Sequence, residues 1–340
     1  MASTRETARS AAEVLAWSRG LVDPALRSAV DALPESMRRI AEYHFGWQDE
    51  SGGGGGKAIR PALTLLAAGA VGGTAAAALP AALGVELTHN FSLLHDDVMD
   101  EDLTRRHRPT AWSVFGTSAA ILAGDALLAA AFEVVADERC PAAARGVRVL
   151  SAAVLELVEG QSSDMSFEER SDVTVDECLR MAGRKTGALL GCACALGAVY
   201  GGGTSEQVDR LRAFGERLGL AFQLIDDLLG IWGDPDVTGK PVHSDLRNRK
   251  KSLPVVAALT SGTPAGAELS ALYLRDRPLT GDEPARAATL TEAAGGRAWA
   301  VRRADELLAG ALSQLEAAAP ASTASEELRV LARLVTRRDH

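Results

Sequence analysis

Aromatic residues make up only 4% of this 340-residue chain, and it has four cysteines. Few aromatics disfavour a β-rich fold, because strands prefer aromatic and β-branched side chains. Cys140, Cys178, Cys192 and Cys194 show no CxxC spacing and no paired framework, so we expect all four to be reduced. With hydrophobic residues at 47% and charged residues at 24%, the composition is that of an ordinary globular protein. The heavy alanine content favours an all-α fold.

The chain also lacks a surplus of basic residues, since its net charge is −9 and its pI is about 5.3. Binding to nucleic acid needs a basic surface, so no nucleic-acid partner is expected. The N-terminus has no basic segment followed by an apolar stretch. The most apolar run, residues 187–199, is shorter than the ~20 residues of a membrane-spanning helix. We therefore expect a cytoplasmic protein without a transmembrane segment that binds a small anionic ligand.

An apolar period of 3.6 residues continues through most of the sequence, and no segment alternates convincingly like a strand. The predicted helices cover about 24–48, 58–71, 76–102, 109–135, 142–168, 174–200, 204–232, 250–261, 283–294, 297–318 and 323–338. We expect one catalytic domain over residues 23–340, preceded by an N-terminal segment, 1–22, that is partly disordered.

The helix predicted over 76–102 ends in the acidic sequence HDDVMD. Thr88, Ser92, Asp96 and Asp100 follow one another at i+4 and form one stripe, whereas Asp97 points roughly 100° away. Small polar residues thus lead up to two stacked carboxylates. Such hard oxygen ligands suit Mg²⁺, which is often held by one or two carboxylates together with substrate phosphates. Taken alone, the motif is also compatible with a solvated acidic helix end.

A second buried helix ends in FQLIDD, with Asp226 and Asp227, and a lysine-bearing loop follows. Unpaired carboxylates at the ends of core helices repel one another and resist desolvation. Two such helices, each followed directly by cations, are therefore difficult to explain as surface features. Metal ions and a bound polyphosphate shared between them would resolve the conflict.

The basic residues are consistent with a phosphate ligand. Lys57 and Arg60 lie where a glycine run leads into a helix, and the free N–H groups and helix dipole there favour an anion. The segment is not a P-loop, because Ala58 stands where that motif requires a hydroxyl. Further predicted phosphate-binding cations are Arg105, Arg106, Lys185, Lys240 and Lys250.

Seven motifs in order resemble the trans-prenyl diphosphate synthases, which have the all-α class I isoprenoid synthase fold, a single-domain helical bundle with a central cavity. They are GGKAIRP at 55–61, HNFSLLHDDVMD at 89–100, RRHRPT at 105–110, GQSSD at 160–164, RKT at 184–186, FQLIDD at 222–227 and GKPVHSDLRNRKKSLP at 239–254. The resemblance covers nearly the whole chain.

The resemblance implies a role for each matching residue. Three Mg²⁺ ions on the diphosphate of an allylic substrate would be held by Asp96, Asp100 and Asp226, assisted by Arg105, Lys185 and Lys240. The diphosphate of isopentenyl diphosphate would be bound by Lys57, Arg60, His89 and Arg106. Thr186 and Gln223 would face the reacting carbons, so that Lys185, Thr186 and Gln223 form the catalytic set. A homodimer is also implied.

In the family, bulky residues beneath the first acidic motif limit the length of the product. Here the candidates are Thr88, Phe91 and Ser92, and Phe91 is expected to set the limit. The combination resembles short-chain synthases that extend dimethylallyl, geranyl or farnesyl diphosphate to the C20 product geranylgeranyl diphosphate. A farnesyl or a longer polyprenyl product is the alternative.

Two positions depart from the family pattern. Gly230 replaces the last acid of the second motif, which leaves Asp226 as its one secure inward ligand and predicts a weaker third metal. His107 replaces the glycine that usually follows the arginine pair. Gly230 also motivates a catalytically silent partner subunit as an alternative.

Two further alternatives are enzymes of other classes. A class I terpene cyclase shares the fold and the first motif, but a cyclase has no use for the isopentenyl site and should carry an Asn/Asp, Ser/Thr, Glu triad where FQLIDD stands. An HD-type phosphohydrolase is suggested by His89, His95 and Asp96, but leaves the second acidic cluster unexplained.

Overall fold

Alanine-rich segments with a 3.6-residue apolar period form helices through almost all of the described chain, which confirms the all-α prediction. The computed structural model describes residues 8–47, 58–138, 140–234, 242–273, 275, 277–319 and 322–336. Its helices are α1 (Ala11–Asp31), α2 (Glu35–Phe45), α3 (Ile59–Ala70), α4 (Ala75–Met99), α5 (Ala111–Phe115), α6 (Thr117–Val135), α7 (Ala143–Glu169), α8 (Val175–Ala182), α9 (Ala188–Tyr200), α10 (Ser205–Trp232), α11 (Ser244–Arg247), α12 (Leu253–Leu259), α13 (Pro264–Tyr273), α14 (Glu283–Ala293), α15 (Gly296–Ala318) and α16 (Thr323–Thr336).

The helix predicted over 24–48 is wrong in both its start and its continuity. Helix α1 begins at Ala11, where the Ser10 hydroxyl and the Glu13 carboxylate cap each other's backbone N–H groups. It ends at Asp31, and Pro34 then precedes α2, because proline at this position cannot continue a helix but can start one. The Ser-x-x-Glu sequence at 10–13 was the signal for the earlier start.

Several other elements differ from the predicted pattern, among them the short helix α11, which was not predicted. A two-stranded pair of β1 (Thr104–Arg105) and β2 (Arg108–Pro109) follows α4, although no strand was expected. Residues Gly183–Gly187 form a π-helical turn between α8 and α9. Helix α13 was not predicted.

The chain divides into two compact units. Unit 1 contains Met1–Val154, Leu189–Gly215 and Ser313–Leu331, and unit 2 contains Leu155–Ala188, Glu216–Leu312 and Ala332–His340. In unit 1, α4 packs against α3 and α6. In unit 2, the buried apolar residues form two clusters, one of which joins α8, the C-terminal part of α10 and the start of α12.

Helix α6 is long and apolar enough to cross a membrane by length and composition alone, with a mean hydropathy of 1.8. It is the only such helix in the described part of the chain, and the core helix of a soluble protein can pass the same test. Only 39% of it is buried. Sequence reasoning considered 187–199 and overlooked this helix.

Candidate active site

The first acidic motif lies at the C-terminal end of α4, in unit 1. The backbone N–H of Asp100 donates to the carbonyl of Asp96 at 2.8 Å, so the helical spiral continues past Met99 and keeps the two residues one turn apart. Asp96 is half-buried and Asp100 is exposed, while Thr88 and Ser92 are buried further back along the helix. The structure therefore brings Asp96 and Asp100 together at an accessible helix end.

Asp97 has a different environment, since it is only 1% exposed. Its Oδ1 accepts a 2.6 Å hydrogen bond from Nε of Arg105, which forms an ion pair with it. Burial raises the pKa of Asp97, and the charge of Arg105 opposes this rise. Asp97 thus anchors the arginine-rich hairpin to α4.

The turn of this hairpin consists of Arg106 and His107, both with positive φ, 51° and 61°. A two-residue hairpin loop of type I′ needs positive φ at both positions, which favours glycine. The positive φ of His107 accounts for the glycine that the resemblance leads one to expect at this position. On β2, Arg108 donates to the Tyr43 carbonyl at 3.0 Å and lies over the Tyr43 ring, which fixes the hairpin against α2.

Arg60 on α3 and His89 on α4 form the centre of the predicted isopentenyl diphosphate site. Nη1 of Arg60 is 3.1 Å from Nε2 of His89. Because a guanidinium can only donate, Nε2 accepts and the ring carries its proton on Nδ1. Desolvation, followed by the charge of Arg60, lowers the pKa of His89 well below its ordinary value, which is consistent with a neutral ring. The Nε of Arg60 is buried and has no hydrogen-bond partner among the described residues, as expected of a donor that serves an anion.

A second buried histidine, His44 on α2, supports this region. Its Nε2 donates to Oδ1 of Asn90 at 3.2 Å, and Nδ2 of Asn90 donates to the carbonyl and the carboxylate of Glu86. Burial and then the charge of Arg106 lower the pKa of His44 to about 3. His44 is therefore a neutral donor that fixes Asn90 beside the cationic site.

In unit 2, the predicted catalytic Lys185 and Thr186 lie in the π-helical turn. Lys185 Nζ contacts Oδ2 of Asp164 on α7 at 2.5 Å. A Cβ on Gly160 would lie 2.7 Å from Cα of Lys185, so only glycine allows α7 and this turn to approach so closely. The neighbouring Gln161 is 4% exposed, and neither of its amide atoms has a hydrogen-bond partner in the described chain. Single π-helical turns are frequent at functional sites.

Three side chains form a directed chain of hydrogen bonds. The Thr186 hydroxyl donates to Oε1 of Gln223 at 2.7 Å, and Nε2 of Gln223 donates to Oδ1 of Asp227 at 2.9 Å. The other oxygen of Asp227 accepts the backbone N–H of Leu253 at the start of α12, also at 2.9 Å. Asp227 thereby orients the amide of Gln223 and the hydroxyl of Thr186.

Asp226 and Asp227 again divide into an accessible and a buried carboxylate. Asp226 is exposed, whereas Asp227 is 3% exposed, and burial raises the pKa of Asp227 to about 6. Lys250 Nζ lies 3.9 Å from Oδ1 of Asp227. Burial alone would lower the pKa of Lys250, but the negative charges of Asp227 and Asp245 raise it, so this lysine stays charged.

The predicted site residues thus fall into two groups. Unit 1 contains Arg60, Thr88, His89, Phe91, Ser92, Asp96, Asp100, Arg105 and Arg106, and unit 2 contains Lys185, Thr186, Gln223, Asp226 and Lys250. Lys57 and Lys240 lie outside the described residues. The sequence alone did not indicate the residues that contact these groups, which are His44, Asp164 and Asp245. It also gave Asp227 no role. Asp164 and Asp245 nevertheless belong to motifs that were recognised.

The donor set fits Mg²⁺. Asp96, Asp100 and Asp226 offer only carboxylate oxygens at accessible positions. In the described part of the chain, no three His, Cys, Asp or Glu side chains are arranged to hold a metal by themselves. A site of one or two carboxylates completed by diphosphate oxygens is the arrangement that Mg²⁺ favours.

Comparison with known proteins identifies the family. The polyprenyl synthetase family model matches residues 49–288. A (2E,6E)-farnesyl diphosphate synthase of Mycobacterium tuberculosis is 48% identical over 294 residues, 84% of this chain and 82% of that protein. A geranylgeranyl diphosphate synthase of the same species is 46% identical over 332 residues, 96% of this chain and 93% of that protein. The crystal structure of a polyprenyl synthetase from Streptomyces coelicolor superposes with a TM-score of 0.91 at 47% identity, covering 95% of this chain and 99% of that one.

The fold is the all-α class I isoprenoid synthase fold, and the relatives are prenyltransferases. The chain belongs to the polyprenyl synthetase family of trans-prenyl diphosphate synthases. Crystal structures of related synthases are complexes with isoprenyl diphosphate and calcium or magnesium. The structure also disfavours an HD-type phosphohydrolase, because Nε2 of His95 donates to the Ile121 carbonyl of α6 at 3.0 Å and is turned to that helix.

Proposed function

We propose that this chain condenses isopentenyl diphosphate head to tail with allylic diphosphates, and that its main product is geranylgeranyl diphosphate. The observation that carries the proposal is the Thr186–Gln223–Asp227 chain, which orients two uncharged dipoles beside the second acidic motif. Relatives of similar identity include both farnesyl and geranylgeranyl diphosphate synthases, so the C20 product rests on the residues beneath the first motif.

The allylic diphosphate binds to Asp96, Asp100 and Asp226 through Mg²⁺, with three ions expected. When bound, these ions neutralise the charge that develops on the leaving diphosphate as the allylic C–O bond breaks. Arg105, Lys185 and Lys240 assist by direct ion pairing. Arg105 and Lys185 are already fixed by Asp97 and Asp164, which reduces the loss of side-chain entropy on binding.

The diphosphate of isopentenyl diphosphate binds to Arg60, Arg106, His89 and Lys57. Arg60 contributes the buried Nε that has no partner among the described residues. His89 contributes a neutral ring whose Nε2 accepts a hydrogen bond from Arg60. Because the ring is neutral, it adds no positive charge near the substrate carbon.

The reacting carbons face Thr186 and Gln223. The Thr186 hydroxyl donates its hydrogen bond to Gln223, so the lone pairs of the hydroxyl oxygen are available to support the allylic cation. Asp227 is the carboxylate that contacts Gln223, and both of its oxygens accept hydrogen bonds, so we assign it no role as a base. The released diphosphate then takes the proton that the condensed product loses.

Phe91 limits the length of the product. It is 6% exposed, lies five residues before Asp96, and its ring contacts the His95 ring edge-on with centroids 4.7 Å apart. Because His95 is held by α6, Phe91 has little freedom to move away from a growing chain. Ser92 and Thr88, which are buried on the neighbouring stripe of α4, have small side chains.

The active form is a homodimer located in the cytoplasm. Val114, Ile121 and Leu122 leave large apolar side chains 49%, 38% and 54% exposed on α5 and α6, which supports a face covered by a second copy of the chain. None of the four cysteines, all of which lie in the described part of the chain, forms a disulfide, which is compatible with a reducing compartment.

An assay of the purified chain tests the proposal. Labelled isopentenyl diphosphate is supplied with dimethylallyl, geranyl or farnesyl diphosphate and Mg²⁺, and the dephosphorylated products are sized by chromatography. Asp96→Asn should abolish the product, and Asp209→Asn, at an exposed site on the first half of α10, should not. A cyclic hydrocarbon would indicate a terpene cyclase, and no product with any primer would indicate a silent partner subunit.

A further inference from the structure

The amide of Asn90 on α4 is only 1% exposed and is bound from two sides. Its Oδ1 accepts the N–H of His44 Nε2, on α2, at 3.2 Å. Its Nδ2 donates to Oε1 of Glu86, one turn back on α4, at 3.2 Å, and to the Glu86 carbonyl at 2.8 Å. Because an amide carries its acceptor and its donors on different branches, the bond to His44 turns the NH₂ branch toward Glu86. His44 thereby determines which atom of Asn90 meets the carboxylate.

The carboxylate of Glu86 lies beside the cationic site of unit 1. His89, which accepts from Arg60, is three residues further along α4 and is therefore a neighbour of Glu86 on the helix surface. Burial raises the pKa of Glu86, whereas the charge of Arg60 and the hydrogen bond from Asn90 lower it. Burial lowers the pKa of Arg60 and of Arg106, and for both of them Glu86 is the charge that most opposes this change. Glu86 is thus attracted to two guanidinium groups that we assign to a substrate diphosphate.

A carboxylate and a diphosphate compete for the same guanidinium donors, because the geometry of arginine suits the oxygens of both anions. In the structure, Oε1 of Glu86 is bound by Asn90. The buried Nε of Arg60 has no hydrogen-bond partner among the residues that the structure describes. The amide of Asn90 therefore holds the carboxylate while this N–H of Arg60 remains available to an entering anion.

We propose that His44 and Asn90 are positioning residues of the isopentenyl diphosphate site, and that they hold Glu86 so that it does not compete with the substrate diphosphate for Arg60. This inference rests on the proposed function. The site then depends on its cations and also on the restraint of a carboxylate beside them. Since neither His44 nor Asn90 belongs to the reacting centre, their loss should affect binding of isopentenyl diphosphate and leave the chemical step almost unchanged.

The test is a cycle of Asn90→Leu, Glu86→Gln and the double variant Asn90→Leu/Glu86→Gln in the full chain. The main readout is calorimetric binding of isopentenyl diphosphate without Mg²⁺ and without an allylic substrate, so that no turnover occurs. The second readout compares the KM for isopentenyl diphosphate with kcat at saturating farnesyl diphosphate and Mg²⁺. Tyr200→Phe is the matched control, because it removes another buried hydrogen bond of unit 1, to the Val135 carbonyl, and should leave both readouts unchanged.

Asn90→Leu should weaken binding of isopentenyl diphosphate about tenfold, a usual scale for coupling within one hydrogen-bond network, because Glu86 is released to pair with Arg60. The KM should rise by the same factor, with little change in kcat. Glu86→Gln should bind at least as tightly as wild type, because a negative charge beside the arginines is removed. In the Glu86→Gln background, Asn90→Leu should change binding by no more than about twofold. A purely structural role of Asn90 predicts the same loss in both backgrounds.

His44 gives a second route to the same test. His44→Phe removes the N–H donor and should weaken binding only when Glu86 is present, whereas His44→Gln keeps an N–H donor and should bind like wild type. These two variants decide the outcome if Asn90→Leu does not fold. Wild-type affinity in folded Asn90→Leu or in His44→Phe overturns the inference, and so does an equal loss with and without Glu86. A wild-type chain that makes no prenyl product refutes the proposed function, which the binding cycle alone would not do.

Discussion

The hydroxyl of Thr186 donates a 2.7 Å hydrogen bond to Oε1 of Gln223, across 37 positions of the sequence. Thr186 lies in a π-helical turn and Gln223 on a regular helix, and Asp227 fixes the amide from the other side. These hydrogen bonds hold Thr186 and Gln223 in one defined orientation toward a substrate.

Thr186→Val tests this orientation, because valine has nearly the same shape but cannot donate. We expect kcat to fall by about 10²–10³-fold, as for loss of one preorganised transition-state dipole. The KM for isopentenyl diphosphate should change little, since Arg60 and His89 are untouched. Thr186→Ser, which keeps the hydroxyl, should retain most of the rate. A wild-type kcat for Thr186→Val would exclude a role for the hydroxyl.

Product length should respond to Phe91→Ala, which removes a buried ring five residues before Asp96. We expect products longer than C20 when farnesyl diphosphate is the primer, because the space for the growing chain increases. Phe45→Ala is the matched control, since it removes another buried ring of unit 1 that stacks on Trp47. It should leave the product distribution unchanged. The same distribution from Phe91→Ala would place the length limit elsewhere.

The oligomeric state should depend on Leu122, which is 54% exposed on α6. A charge there would have to be buried without a partner in a dimer, so Leu122→Glu should give a monomer by light scattering. Leu21→Glu, at a leucine 39% exposed on α1, should remain a dimer. A Leu122→Glu dimer of wild-type affinity would mean that this face is not the interface.

Acid should destabilise the protein partly through His44. Its folded pKa of about 3 lies below the unfolded value of 6.5, so its contribution to stability is complete above pH 6.5 and is lost as the pH falls below it. At pH 5 the loss is at most about 2 kcal/mol. Denaturant unfolding at pH 7.5 and pH 5 should show a smaller loss for His44→Gln than for wild type. The charged neighbours of this ring are the same in wild type and His44→Gln. They are Arg105, Arg106 and Arg108.

Helix α4 and the second half of α10 could be predicted from the sequence. Their apolar residues repeat with the helical period, and this repeat ends at the acidic residues. The break at Pro34 and the start of α1 after Ser10 were also indicated by local sequence signals. The π-helical turn had none, since it accompanies the approach of Gly160 to Lys185, which are 25 positions apart and share no periodic pattern.

The candidate ligands of the site were predicted from motif spacing, but the partners that hold them were not. Two ion pairs form only when the chain folds, Asp164 with Lys185 and Asp97 with Arg105. The effect of Gly230 could be stated only as a missing acid, because the sequence does not show that the carboxylate of Asp245 lies against this glycine.

A crystal structure with Mg²⁺ and an unreactive thio analogue of farnesyl diphosphate tests the central claim most directly. We expect Asp96, Asp100 and Asp226 all to bind Mg²⁺ ions on one diphosphate, with metal–oxygen distances of about 2.0–2.1 Å. A diphosphate bound without metal contacts to Asp226, or at a place remote from Asp96 and Asp100, would contradict it.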